Sequence, residues 1–232
     1  MRLAARLPAL VAALAAAAAP APAPAQEFLD RGTFVIERGG VEVGREEFAI
    51  RRAAGSAGGL LAVATVSFRD REHRPALDLT GDLQPLSYQA DVSVAGRVVE
   101  RASAQFGRGR VAARVATQQR EILREFPTTA GVAVLDPEAF HQLYFIPRAA
   151  AGETRRLVLL QPRVPALVEA VVRRVGPDTV RVADRPVAAD KFVLSFPDGE
   201  TREFWFTSTG DLLRVAIPRS ELVATRTTLP PR

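Results

Sequence analysis

The chain contains no cysteine. That absence rules out disulfides, thiolate metal ligands, cysteine nucleophiles and the lipid-bearing cysteine of bacterial lipoproteins. Histidine occurs only at His73 and His141. A structural zinc site needs three or four converging ligands, often with histidines three to five residues apart, so no metal site and no cofactor is expected. The Gly-x-Ser-x-Gly turn of a serine hydrolase is missing. Asp190 and Asp198 stand beside Lys191 and turn residues and read as surface groups, and no pair of carboxylates stands out as a general acid and base. Aromatic residues make up only 6% of the chain, so Val, Leu, Ile and Phe must supply the core. Each such side chain contributes about 1.5–3 kcal/mol when fully removed from water.

Long hydrophobic runs are also lacking. The apolar stretch at residues 7–19 is shorter than the roughly 20 residues that a membrane-spanning helix needs. It follows Arg2 and Arg6 and precedes the small-residue tract 20–25, the layout of a secretory signal peptide. Ala23-Pro24-Ala25 puts small residues one and three positions before a cut at Gln26, whereas a cut after Ala23 would leave Pro24 against the scissile bond. Cleavage before Gln26 leaves residues 26–232 as a single antiparallel β domain without a transmembrane anchor. Its expected location is the periplasm, with the external medium as the alternative.

Lysine is nearly absent: Lys191 stands alone among 31 basic residues, in a chain of formal charge +5. Two of those net charges, Arg2 and Arg6, leave with the signal. The remaining arginines alternate with acids, as in Arg45-Glu46-Glu47, Arg69-Asp70-Arg71-Glu72 and Arg120-Glu121. Mixed-sign stretches of this kind are solvated faces rather than the basic stripe of a nucleic-acid binder, so no nucleic-acid partner is expected.

What is present is strand after strand. Residues 34–37 and 41–50 flank Gly39-Gly40, a pair suited to the positive φ angles of a tight hairpin turn. Val41 and Val43 share one parity while Phe48 and Ile50 share the other, which predicts a β-bulge near Gly44. Residues 60–68 form the next strand after the Gly-rich loop 55–59, and Arg71-Glu72-His73-Arg74 reads as a charged turn before Pro75. Leu86, Tyr88, Ala90, Val92 and Val94 alternate with polar residues. Ala95-Gly96 turns the chain into Val98, Ala102, Ala104 and Phe106, a face that Glu100 interrupts. Val111, Ala113 and Val115 complete a meander with one wet and one dry face.

One helix is expected near residues 137–146. Asp136 is the N-cap, Pro137 the first helical residue and Glu138 an early carboxylate, and Pro147 ends the helix. Phe140, Leu143 and Tyr144 fall on one side, His141 lies beside Phe140, and so short a helix must pack on the sheet to persist. Strands then resume at residues 155–161, 167–175, 179–182, 187–196, 200–207, 212–217 and 222–227. Gly176-Pro177-Asp178 is read as a turn. Residues 166–174 also fit a helix, but their valines favour a strand.

These elements predict an all-β fold with one short helix: a large curved antiparallel meander, an open barrel or half-barrel that the helix covers. In Phe204-Trp205-Phe206 the outer two rings face one side and Trp205 the other. Trp205, with Phe140 and Tyr144, is the candidate ligand contact if it faces the helix. If both faces of its strand are covered, it is core. Arg155-Arg156 and Arg173-Arg174 offer arginines for an anionic head group, and strand ends explain them equally well.

Several motifs recur in a fixed order. The leader precedes the Gly-Gly hairpin with Val43-Gly44-Arg45, then Leu83-Gln84-Pro85-Leu86-Ser87-Tyr88, then Phe204-Trp205-Phe206 with Gly210-Asp211-Leu212-Leu213-Arg214-Val215. Over most of residues 31–227 this order resembles a family of exported bacterial β-rich proteins of unknown function. That family is similar in outline to the lipoprotein carriers LolA and LolB, whose curled sheet holds acyl chains under helices. The resemblance implies a non-enzymatic protein that binds a hydrophobic, lipid-like ligand in the concave face of its sheet. An envelope scaffold that binds another protein along a sheet edge or the helix face is the alternative expectation.

Overall fold

A computed structural model describes residues 27–53, 58–128, 131–149 and 154–229. The expected leader and its cleavage point, most of the Gly-rich loop 55–59 and the final residues 230–232 lie outside the described residues. Eight strands form an N-terminal meander: β1 (Phe28–Arg38), β2 (Val41–Arg52), β3 (Leu60–Phe68), β4 (Arg71–Leu79), β5 (Pro85–Val94), β6 (Arg97–Gly107), β7 (Arg110–Thr117) and β8 (Glu121–Pro127). Seven more follow: β9 (Val132–Val134), β10 (Thr154–Gln161), β11 (Ala166–Val182), β12 (Arg185–Ser195), β13 (Thr201–Phe206), β14 (Leu212–Ile217) and β15 (Leu222–Arg226). All belong to one 15-stranded sheet in the order 8-7-6-5-4-3-2-1-15-14-13-12-11-10-9. Every pairing is antiparallel except β9 with β10.

The curl follows from connectivity. β8 and β9 lie at opposite ends of the sheet, yet Pro127 and Val132 are five residues apart in the chain. Five extended residues span at most about 18 Å, so the sheet must bend until its ends approach. β9 lies against β5, so the ends overlap rather than meet edge to edge. The inner face is mostly apolar, with Phe34, Ile50, Val66, Leu77, Ala104 and Val215 in one buried cluster and Glu46 and His73 buried beside them. The expected all-β class with a large curled, open antiparallel sheet is what the chain forms.

Two local predictions hold and several need correction. Gly39-Gly40 forms the β1–β2 turn with φ of 56° and 80°. The β1–β2 register slips between Ile36↔Gly44 and Glu37↔Glu42, the bulge that the change of parity demanded. Residues 71–74 are not a turn, because they begin β4, which carries Pro75 in its middle. The β3–β4 ladder steps from Val63↔Ala76 to Val66↔His73, and this gap accommodates a residue that has no N–H. Gly176-Pro177-Asp178 is no turn either. The chain runs through it as β11, with a register shift between Arg174 and Gly176.

Beyond that shift the β11–β12 hairpin folds over the outer face of β13 and β14. Val180, Val182 and Ala189 there form a second buried cluster with Trp205 and Leu213.

Gly44 stands where β2 and β3 come closest. A Cβ there would lie 2.4 Å from the Ser67 carbonyl oxygen and 2.9 Å from Phe68 Cδ1. Gly44→Ala should destabilise the protein by about 1–3 kcal/mol through overpacking, read as a lower urea midpoint at unchanged m-value.

Candidate functional site

The link from β9 to β10 lies on the concave face of the sheet and forms the site. Leu135, Phe140, Leu143, Phe145 and Ile146 point into the main core, each at most 4% exposed. The helix differs from the expected one. Its first part, Phe140–Tyr144, is a 3-10 turn, and the α-helical turn α1 (Ile146–Ala149) follows. Asp136 does not cap a helix at Pro137. Its carboxylate accepts the Glu138 N–H at 3.0 Å and the Tyr88 hydroxyl at 2.5 Å, and His73 Nε2 lies 3.3 Å away. Pro147 does not end the helix but is the second residue of α1, in a first turn where its missing N–H goes unused.

The cap comes from across the sheet. No side chain of the segment itself caps the 3-10 turn. Instead Glu46, fully buried on β2, accepts the N–H of Phe140 at 3.0 Å and of His141 at 3.2 Å. The same carboxylate takes a short hydrogen bond from His141 Nδ1. A carboxylate at a helix start neutralises the exposed N–H dipoles, and here it does so in a medium that offers no water. Gln142 completes the tie, its Oε1 accepting the Asp136 N–H at 2.8 Å.

A second set of charges holds the mouth of the curl. Glu138 accepts from Arg71 of β4 at 2.6 Å and from Arg163, which stands between β10 and β11 and also donates to Glu100 of β6 at 2.6 Å. Burial pushes the Asp136 carboxyl up, but His73, Arg163 and the Tyr88 hydroxyl more than offset this and hold it below the usual carboxylate range. The Tyr88 hydroxyl titrates well above its usual range, through burial first and the neighbouring Asp136 charge second. Burial alone would lower the Arg163 value, yet Asp136, Glu100 and Glu138 raise it, so the guanidinium stays charged.

Of the three candidate ligand contacts, the structure brings two together. Phe140 and Tyr144 lie in the main core, and the Arg148 guanidinium sits 3.5 Å above the Tyr144 ring. Trp205 faces the other side of the sheet, under the β11–β12 hairpin, where its indole N–H donates to Asp178 at 2.8 Å. Phe204 and Phe206 take the inner face and stack around Phe192. Five surface depressions of about 280–680 Å³ are lined by strand and hairpin residues, and none is lined by Phe140, Tyr144 or Trp205. Arg156, Arg173 and Arg174 are exposed where β10 and β11 run past the core. Among the described residues no group of His, Asp and Glu could hold a metal ion, and no helix is long and apolar enough to cross a membrane.

Glu46, Tyr88 and Arg163 were not singled out from sequence. The available signal was parity: Glu46 shares the inner face with Phe48 and Ile50, and Glu100 interrupts an otherwise apolar face.

An apolar curl covered by β9 and by a short strap held by buried charges defines the chain as a β-barrel-like protein built from one open sheet. A solved structure from Brucella abortus, a beta-barrel-like protein of the domain of unknown function DUF1849, is similar in fold with a TM-score of 0.55. It is 12% identical, and the likeness covers 86% of this chain and 94% of that one. No family model and no curated protein matches the chain.

Glu46→Ala should cost about 3–5 kcal/mol, because it strands two buried N–H groups and the His141 ring together; chemical denaturation checks it. Asp136, with its folded value depressed, adds stability that is present above about pH 4 and lost as pH falls through the folded value. The urea midpoint of the wild type should therefore fall more steeply below pH 4 than that of Asp136→Asn.

Proposed function

We propose that the protein is an exported, non-enzymatic binder of a hydrophobic or amphipathic, lipid-like ligand, which it takes into the curl of its sheet. The observation that carries this reading is the nature of the cover. A continuous apolar face is closed by residues 135–149, a strap with polar ties at few points, where a sandwich would use a second sheet. Such a strap is an amphipathic occupant supplied by the chain itself. An external ligand would place its oily body where Phe140 and Leu143 lie and its anionic head on Arg71 and Arg163, which here hold Glu138. Phe140 and Tyr144 then belong to the displaced surface, and Trp205 takes no part.

The leader layout of residues 1–25 supports export and a periplasmic location. The resemblance in outline to LolA and LolB that the sequence suggests offers carriers as a precedent, on architecture alone. The alternative, an envelope interaction module without a small ligand, is favoured by one observation, the uncovered edge of β8.

Fluorescence titration with cis-parinaric acid tests the ligand reading. If the strap competes with the ligand, the apparent affinity is reduced by the fraction of molecules in the closed state. Glu138→Gln weakens the strap and leaves both arginines in place, so it should tighten uptake by roughly fivefold. Absence of uptake by wild type and variant alike, with no small molecule carried by the gently purified protein in mass spectrometry, would refute the proposal.

A further inference from the structure

β8 is the terminal strand of the sheet, and no described residue pairs with its outer edge. Two hydrogen bonds set the phase of its ladder with β7: Thr117 N–H to the Arg120 carbonyl at 2.8 Å and Thr128 N–H to the Gly109 carbonyl at 2.9 Å. Bonded and non-bonded pairs alternate in an antiparallel ladder. With Val115↔Ile122, Ala113↔Arg124 and Val111↔Phe126 in register, the even-numbered residues of β8 bond to β7. The N–H and C=O groups of Glu121, Leu123 and Glu125 therefore point away from the sheet. Leu123 is 60% exposed. Proteins blunt such edges with proline, bulges or charged side chains. Here Pro127 comes only at the end of the strand and no bulge interrupts the β7–β8 register, so Glu121, Arg124 and Glu125 are what select a partner for this edge.

The side chains decide what this edge accepts. A second copy would pair β8 with itself about a two-fold axis normal to the sheet. Centred on Leu123, that pairing sets Glu121 against Glu125. Centred on Arg124 it sets the arginine against its own copy, and centred on Ile122 it sets Arg120 against Arg124. Centred on Glu121 or Glu125 it sets that glutamate against itself. Each of these registers places like charges directly opposite, which is destabilising; the one centred on Phe126 instead sets Glu125 against Pro127, which has no N–H to give to the ladder.

We infer that β8 takes up an extended segment of a different protein by antiparallel strand addition. The segment that fits presents basic residues to Glu121 and Glu125, an apolar residue to Leu123 and an acidic residue to Arg124. Arg114 holds both carboxylate oxygens of Glu121 at 2.9 Å and Arg110 lies 3.5 Å from Glu125, solvent-exposed contacts that a facing cation on the added strand must share. Main-chain bonds supply the affinity and the alternating side chains supply the choice of partner. This edge lies outside the strap and the curl, so the inference stands apart from the ligand reading.

The test titrates mature protein, residues 26–232, with the peptide Thr-Lys-Glu-Val-Thr-Lys-Glu and with its charge-reversed form Thr-Glu-Lys-Val-Thr-Glu-Lys, followed by amide NMR. The first peptide should bind at about 1 mM or tighter and protect the amides of Glu121, Leu123 and Glu125 from exchange, and the reversed peptide should bind at least about tenfold more weakly. Leu123→Pro removes an N–H that the sheet does not use, so it should abolish binding and leave the melting temperature close to wild type. If that variant fails to fold, the double change Glu121→Lys with Glu125→Lys should reverse the peptide preference. No response of these amides to either peptide, equal affinity for both, or a symmetric dimer through β8 in sedimentation would overturn the inference.

Discussion

Four residues join the two extremes of a fifteen-stranded sheet, between Pro127 at the end of β8 and Val132 at the start of β9. An open sheet with one apolar face has two ways to hide it, by closing into a barrel or by recruiting another layer. The short link forces the curl, and β9 then slides inside against β5, so the sheet covers part of its own face. What it leaves uncovered is filled by the strap that follows β9. The strap, the buried charges and the free edge of β8 all result from this one connection.

Charge inside the curl has a structural role. Glu46, Asp136, His73 and His141 are each fully buried, and each carboxylate meets a histidine together with N–H or O–H donors. A buried ion pair is seldom better than well-packed apolar side chains for stability alone, but an unpaired one is costly. These ties therefore work as register pins: an apolar strap could slide on an apolar face, whereas a strap whose N–H groups must meet Glu46 has one seat. The seam between the chain's two ends uses the same device. Arg226 of β15, 1% exposed, pairs with Asp30 of β1 at 2.8 Å and donates to the Leu212 carbonyl at 3.2 Å. Gly32 makes room for it, since a Cβ at that position would lie 2.9 Å from the guanidinium.

Legibility in the sequence followed the reach of each interaction. β3 and β14 match their predicted limits, because alternation in the one and a short apolar run bounded by turn residues in the other are local properties. The bulge at Gly44 was readable for the same reason, as a change of parity within one strand. β8 was missed because it carries charge on both faces and buries little, so alternation says nothing there. β4 was missed because Arg-Glu-His-Arg before proline looks like a turn until Asp136 arrives to receive His73. The helix was placed in the right region with the wrong cap, since the carboxylate that caps it is 94 residues away along the chain.

By itself the sequence determined the class of fold, the order of most strands, the Gly39-Gly40 and Ala95-Gly96 turns and the lack of thiol chemistry, because each depends on neighbours within a few residues or on composition. Only the tertiary structure decided which acids are buried, which face Trp205 takes, that β11 bends to shield it, and that no described residue pairs with the outer edge of β8. Those outcomes depend on contacts between residues tens to hundreds of positions apart. A polar residue on an apolar face looks the same along the chain whether it meets water or a buried partner.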